Sequence, residues 1–154
     1  MIRRARDQDG AAARELWREA DLHHAAIAPG YFRASSHAAR EWDALLADRD
    51  AAVFVADDPL GPSVIGLAIA RLHDTPPDPS LVPLRRAHVE LVVVARSARR
   101  RGVGRRLMEE TALWARRNGA AEIVLTVWAG NAEAEGFYER LGFNVLSRAL
   151  HARL

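Results

Sequence analysis

Hydrophobic residues recur along this chain with two periods, which divide it into helices and strands. Apolar residues three or four positions apart indicate amphipathic helices, whereas short β-branched runs indicate strands. The predicted helices cover the stretch from the cap cluster Asp7-Gln8-Asp9 to about Ala26, then Ala34 to Ala47, Gly102 to Asn118 and Asn131 to Leu141. The predicted strands cover Ile2 to Arg6, Ala52 to Ala56, Val64 to Arg71, Ala87 to Ala95, Glu122 to Trp128 and a final extended segment, Phe143 to Arg153.

Residues that favour turns and helix ends support these boundaries. Ser35 or Ser36 is expected to cap the second helix, and Gly119 to end the third. The segment Asp74 to Pro83 carries four of the seven prolines and is predicted as a surface loop. The order β-α-α-β-β-β-α-β-α-β predicts a single α+β domain over residues 1–154, with a mixed sheet.

Composition excludes several classes of protein. The chain has 154 residues, 49% of them hydrophobic and 27% charged, which suits one domain with its own core. It has no cysteine, so disulfides, thiolate metal sites and a cysteine-linked acyl intermediate are impossible. The adjacent pair His23-His24 would diverge on a helix, and we expect no metal site. No stretch of about 18 apolar residues is present, so we expect a cytoplasmic protein without a membrane partner.

The basic residues are all arginine, and they are unevenly distributed. Six of the 22 fall between positions 96 and 106, although the formal net charge of the whole chain is only +2. This cluster has no interleaved aromatic residues, which favours a compact polyanionic ligand over nucleic acid.

The cluster coincides with the turn between an apolar strand and the helix that opens at Gly102-Val103-Gly104. The first turn of a helix presents free N–H groups and a positive dipole end, and glycine lets an oxygen approach the backbone closely. These residues therefore indicate an anion site, although alone they also fit a plain tight turn. The chain has no lysine for a P-loop, and Leu107 stands where a dinucleotide fingerprint needs its third glycine.

Two segments together resemble a known family. The pattern Arg99-x-x-Gly102-x-Gly104 between strand and helix is similar to the acetyl-CoA motif of the GNAT superfamily of N-acetyltransferases. Downstream, Asn131-x-x-Ala134-x-x-Phe137-Tyr138-x-x-Leu141-Gly142-Phe143 resembles the second motif of that superfamily at its usual distance. The resemblance covers nearly the whole chain and implies a central, mostly antiparallel sheet with splayed middle strands, flanked by helices.

The resemblance also implies roles for individual residues. The pantetheine arm of acetyl-CoA would lie between two splayed strands, and the pyrophosphate would bind main-chain amides of the turn. Tyr138 would protonate the leaving thiolate, and Glu90 would act as base, with His88 or water alone as alternatives. The coenzyme-binding residues implied are Val92, Val93, Val94, Arg99, Arg100, Arg101, Gly102, Val103, Gly104, Arg105, Asn131 and Tyr138.

The implied activity is direct transfer of an acetyl group to an amine in a ternary complex, because no cysteine can carry it. We expect a small-molecule acceptor rather than a protein, bound near Asp21 to His37 and the loop Asp74 to Pro83. The alternative is a non-catalytic module of the same fold that binds or senses acetyl-CoA. A homodimer is left open, and no nucleic-acid partner is expected.

Overall fold

A five-stranded sheet forms the centre of the structure, a computed structural model that describes residues 1–33 and 38–154. The strands are β1 (Ile2–Arg4), β2 (Ala51–Asp57), β3 (Val64–Asp74), β4 (Arg85–Val94) and β5 (Glu122–Val124). They lie in sequence order across the sheet. The first four pair antiparallel, whereas β5 joins β4 in parallel after a helical crossover. The predicted α+β class with a mostly antiparallel sheet is confirmed.

Helices cover both faces of the sheet. They are α1 (Gly10–Ile27), α2 (Ala38–Ala47), α3 (Val103–Arg117) and α4 (Ala132–Arg140). On one face, Leu16 of α1 and Trp42 of α2 pack against the apolar side of the sheet around Leu67. On the other face, Leu107 of α3 packs against Phe54. Burial of these apolar stripes supplies the main stabilisation of the fold. No helix in the described ranges has the length and apolar character needed to cross a membrane.

The acidic cluster before α1 has a different role from the one predicted. Residues Asp7–Asp9 form a turn of 3-10 helix, and Asp9 makes no side-chain cap of α1. Its buried carboxylate instead accepts hydrogen bonds from the Arg3 guanidinium at 2.7 and 2.9 Å and from the Arg6 N–H at 2.7 Å. The hydrogen bonds from Arg3 hold the pKa of Asp9 below its usual value. Asp9 therefore ties β1 to the start of α1.

Two strand predictions fail at the C-terminal side of the sheet. Only Glu122–Val124 of the predicted strand Glu122 to Trp128 pairs with β4, because the two strands separate beyond that point. The segment from Phe143 to Arg153 forms no strand. Phe143 packs against Tyr138, whereas Val145 and Leu150 are 74% and 93% exposed.

The predicted beginning of the second helix at Ala34, with its cap at Ser35 or Ser36, lies outside the described residues. The observed helix α2 ends at Ala47 as expected.

Candidate active site

A gap opens between β4 and the chain that follows β5. The two strands are paired only from Arg86 with Glu122 to His88 with Val124. The pairing of β4 with β3 then shifts by one residue. Ala70 lies opposite Val89, whereas the preceding residue of β3, Ile69, lies opposite Leu91. Glu90 is thus the extra residue of a β-bulge, a feature that bends a strand and re-aims its side chains. Beyond the bulge, Leu125–Trp128 lies apart from the sheet.

The free edge of β4 presents main-chain N–H groups to this gap. The N–H of Ala95 donates to the carbonyl of Ile65 at 2.9 Å, towards the sheet. Since N–H directions alternate along a strand, those of Val92 and Val94 point the opposite way, into the gap. Val93 by contrast points its N–H towards β3 and buries its side chain in the core beside α1.

At the end of β4 the chain makes an unusual turn into α3. Arg100 has φ of 63° and Gly102 has φ of 77°, both in the left-handed region. A residue with a side chain rarely adopts that conformation, and such residues concentrate at ligand-binding turns. A Cβ on Gly102 would meet no atom within 4 Å, so its backbone faces open space. The free N–H groups of the first turn of α3, from Val103, follow directly.

The arginines of this turn divide into two groups. Arg99 reaches inward, where its guanidinium donates to the carbonyl of Val94 at 3.1 Å and to the carboxylate of Glu19 at 2.9 Å. It therefore ties the end of β4 to α1. Arg100 is 79% exposed and lies 3.5 Å from the carboxylate of Glu133, at the rim of the turn. Arg101 and Arg105 are exposed as well.

Gly104 has a packing role in addition to its place in the anion turn. A Cβ at this position would lie 3.2 Å from Cζ of Phe137 on α4. Such a distance is tighter than ordinary van der Waals contact, so glycine lets the first turn of α3 approach α4 closely. The two sequence segments that resemble the GNAT motifs are therefore in contact through Gly104 and Phe137.

Tyr138 lies on α4 beside the gap and is partly buried. Its ring packs edge-on against Phe137 and Phe143, with centroids 5.0 and 5.5 Å away. Burial raises the pKa of Tyr138 to about 12. The phenol therefore stays protonated at neutral pH and is available as a hydrogen-bond donor. Asn131, which is buried, caps the same helix, since its side-chain oxygen accepts from the N–H of Ala134 at 3.2 Å.

Glu90 is held by an ion pair. One oxygen of its carboxylate, Oε1, accepts a hydrogen bond from Nε of Arg71 at 3.0 Å. The same guanidinium bonds Asp48, at the end of α2. Oε2 of Glu90 is not engaged by Arg71. His88 lies two residues before Glu90 on β4, and its ring centroid is 6.1 Å from that of His73.

A single cavity of about 590 Å³ joins these features, a volume typical of small-molecule sites. Its wall includes Glu90, Tyr138, the free edge of β4 from Val92 to Val94, and the turn from Arg99 to Arg105 except Arg101, which does not line it. In the part of the chain that the structure describes, no group of three or more acidic or histidine side chains could hold a metal ion.

The cavity ends in an aromatic group that the sequence did not predict as a unit. His23 and His24 of α1 and Trp128 line it. The predicted acceptor region Asp21 to His37 contains both histidines, Tyr31 and Phe32, whereas Trp128 is predicted only as the end of a strand. Asp74, the last residue of β3, and Asp78 of the proline-rich loop do not line this cavity. No local sequence pattern indicates that Trp128 contacts Tyr31 and Phe32, because these residues are about 100 positions away in the chain.

Comparison with solved structures shows the fold. A mutant of the BH1408 protein from Bacillus halodurans superposes with a TM-score of 0.93 at 21% identity, over 100% of this chain and 99% of that one. An aminoglycoside antibiotic 6'-N-acetyltransferase from Acinetobacter haemolyticus has a TM-score of 0.75 at 18% identity, over 100% and 97% of the two chains. AAC(6')-Iy, solved with a bisubstrate analogue of CoA and acetylneamine, has a TM-score of 0.73 at 22% identity, over 100% and 97%.

Comparison with sequence families is more specific. No curated protein matches the chain at a significant level. The acetyltransferase (GNAT) family model matches residues 11–143, which include the β4 edge, the arginine turn and α4. With this match over most of its length, the chain belongs to the GNAT family of acetyltransferases.

Proposed function

We propose that this protein transfers the acetyl group of acetyl-CoA directly to the amine of a small molecule. The observation that supports the proposal most is the single cavity, because it connects an anion-binding turn, a free strand edge, a protonated phenol and a carboxylate. Each group matches a requirement of acyl transfer, namely binding of the donor, stabilisation of an oxyanion and proton transfer. The aminoglycoside acetyltransferases of the same fold favour a small-molecule acceptor.

In the proposed complex the pyrophosphate binds the amides from Arg100 to Arg105, and the pantetheine arm enters the gap. The N–H of Val92 donates to the thioester carbonyl, and that of Val94 donates to the arm. The side chain of Val93 supports the edge from the core. Backbone amides suit this task because they are fixed before the substrate arrives and need little reorganisation.

The transfer then follows a balanced sequence. The acceptor ammonium first loses a proton to Oε2 of Glu90, directly or through water, and the free amine attacks the thioester carbon. A C–N bond forms while the carbonyl oxygen carries the negative charge. When the C–S bond breaks, the thiolate takes the proton of Tyr138. The phenolate then takes the extra proton of the newly formed amide nitrogen, and Glu90 releases its proton to solvent.

The role of Tyr138 is tested by Tyr138→Phe, which removes the hydroxyl and keeps the ring. Loss of a general acid costs roughly 100- to 10,000-fold in kcat. We expect a fall of this size in coenzyme release from acetyl-CoA, with an unchanged dissociation constant for coenzyme A in calorimetry. The matched variant Phe143→Leu loosens the packing of the ring and keeps the hydroxyl, so it should retain most of the turnover. Equal losses in both variants would assign Tyr138 a packing role.

The order of the reaction is tested by initial-velocity kinetics with both substrates varied. Direct transfer in a ternary complex predicts lines that intersect in a double-reciprocal plot. Parallel lines would indicate an acylated enzyme and would contradict the proposal. A protein that binds acetyl-CoA with no transfer to any amine would instead be a sensing module.

A further inference from the structure

Four aromatic rings meet where the cavity ends on the side of α1. The ring of Trp128 lies 5.0 Å from that of Tyr31 and 4.8 Å from that of Phe32, edge-on in the second case. Phe32 in turn stacks on His24 of α1 at 5.1 Å, with an interplanar angle of 27°. His151 also contacts Tyr31, since its Nδ1 is 3.3 Å from the phenol oxygen. The group therefore combines α1, the connection after it, the exit of β5 and the C-terminal segment.

This aromatic group is continuous with the reacting groups. Trp128 and His24 line the same cavity as Glu90 and Tyr138. Phe32 and Tyr31 do not line the cavity, but their rings pack against the indole of Trp128. An acceptor whose nitrogen reaches Glu90 would thus place the rest of its body against the indole. Flat aromatic surfaces bind flat or apolar bodies by stacking and by exclusion of water.

The charges around the cavity limit how many cationic groups an acceptor can carry. The carboxylates in the described part of the cavity wall are those of Glu90 and Glu133. Glu90 is paired with Arg71 and Glu133 with Arg100. Desolvation of a cation is costly unless an anion compensates for it, so a second or third ammonium group would find no carboxylate of its own.

Two histidines of α1 line this wall, His23 and His24, and the ring of His24 belongs to the aromatic group. Burial, assisted by the neighbouring His23, lowers the pKa of His24 below its usual value. At neutral pH its imidazole is uncharged, and it presents a flat face towards Phe32. The acceptor end therefore offers an aromatic wall that includes an uncharged His24, in the same cavity as the carboxylate of Glu90.

We infer that the acceptor is a monoamine on an aromatic or similarly flat apolar body, and that Trp128 is the residue that selects this body. The inference rests on the proposed transfer function and adds the class of its second substrate. Polyamines and aminoglycosides, with several ammonium groups and polar bodies, do not match this wall. Trp128 acts on the affinity for the acceptor, whereas the chemistry takes place at Glu90 and Tyr138.

The test compares three amines in an assay of coenzyme release from acetyl-CoA. Phenethylamine has one charge and an aromatic body, butylamine has one charge and a small body, and kanamycin has several charges and a polar body. We expect kcat/KM for phenethylamine to exceed that for butylamine by about tenfold, the factor that a well-packed aromatic pair supplies. Kanamycin should be the poorest of the three. Equal values for the two monoamines, or a preference for kanamycin, would overturn the inference.

Variants at Trp128 test the residue itself. Trp128→Ala should raise KM for phenethylamine by about tenfold and leave KM for butylamine within about twofold. Trp128→Phe keeps a ring and should restore most of the preference. Leu22→Ala is the matched truncation on α1, since Leu22 is half exposed and does not line the cavity, and it should change neither value. A preference that survives Trp128→Ala would remove Trp128 from this role.

A binding measurement distinguishes failure of this inference from failure of the transfer function. Phenethylamine is titrated calorimetrically into the protein saturated with coenzyme A, for the wild type and for Trp128→Ala. Binding that depends on Trp128, without any acetylated amine, would support the acceptor class and contradict transfer. Transfer to kanamycin but not to phenethylamine would support the transfer function and contradict the inferred class of acceptor. Absence of both binding and transfer would overturn both.

Discussion

The two ends of the cavity are built in opposite ways. At the proposed coenzyme end, the residues from Arg99 to Gly104 are contiguous in sequence, and we propose that they bind the coenzyme mainly through their backbone. At the acceptor end, His24, Phe32 and Trp128 come from distant parts of the chain and act through their side chains. A backbone site tolerates changes of most side chains but not of its glycines. A site built from side chains can change its ligand through a single substitution. Proteins of one fold can therefore bind the same donor and different acceptors.

The largest expected effect is at the coenzyme end, in Gly104→Asp. The new side chain would collide with Phe137 and place a carboxylate beside the pyrophosphate. Like charges in a partly buried site cost several kcal/mol, so we expect coenzyme A affinity to fall by at least about a hundredfold. Calorimetry measures this, and thermal unfolding shows whether the fold survives.

Two further variants separate the effect of the steric contact from the effect of the charge. Gly104→Ala introduces the steric contact without the charge and should cost less affinity than Gly104→Asp. Gly61→Asp adds the same charge at an exposed turn where a Cβ meets no atom within 4 Å, and it should leave affinity unchanged. Wild-type affinity in Gly104→Asp would remove the pyrophosphate from this turn.

The next effect concerns Tyr138, which lies between the two ends. Its pKa, raised by burial from 10.0 to about 12, keeps the phenol protonated above the range where an exposed tyrosine ionises. The proposed general acid is therefore still mostly protonated at pH 11, where the protonated fraction of an unshifted tyrosine would be about tenfold lower. A plot of kcat against pH should therefore show no decrease with a midpoint near pH 10. A fall there that disappears in Tyr138→Phe would contradict the raised pKa.

Smaller effects are expected from the arginines of the turn. Arg100→Ala and Arg101→Ala remove exposed charges, which contribute about 1 kcal/mol or less each, so coenzyme affinity should fall less than about fivefold. Arg99→Ala should act mainly on stability, because this side chain bonds Val94 and Glu19. Arg117→Ala, at the far end of α3, is the control. A loss from Arg100→Ala as large as that from Gly104→Asp would favour side chains over backbone as the phosphate ligands.

The smallest effect is expected from Asn131→Ala. Loss of this helix cap should lower the free energy of unfolding by about 1 kcal/mol, measured by urea denaturation. Asn144→Ala, at an exposed position with one weak contact to a carbonyl, is the matched control and should change stability by less than about 0.5 kcal/mol. Equal stability of the two variants would show that the Asn131 cap is not needed to hold the helix that carries Tyr138.

The same difference between the two ends explains how much could be predicted from sequence. The fold class and the strand-to-helix turn depend on local patterns, and the structure has them as expected. The bulge at Glu90 and the short β5 depend on pairing between distant strands, which no local pattern encodes. Trp128 joins the acceptor wall only because α1, β5 and the C-terminal segment converge there.

One measurement tests the central claim directly. The protein is incubated with acetyl-CoA labelled in the acetyl group and with phenethylamine, and the amine is analysed by mass spectrometry. Direct transfer predicts labelled acetyl groups on the amine nitrogen, formed in step with free coenzyme A and largely lost in Tyr138→Phe. Release of coenzyme A with labelled acetate and no acetylated amine, from this amine or from butylamine and kanamycin, would contradict it.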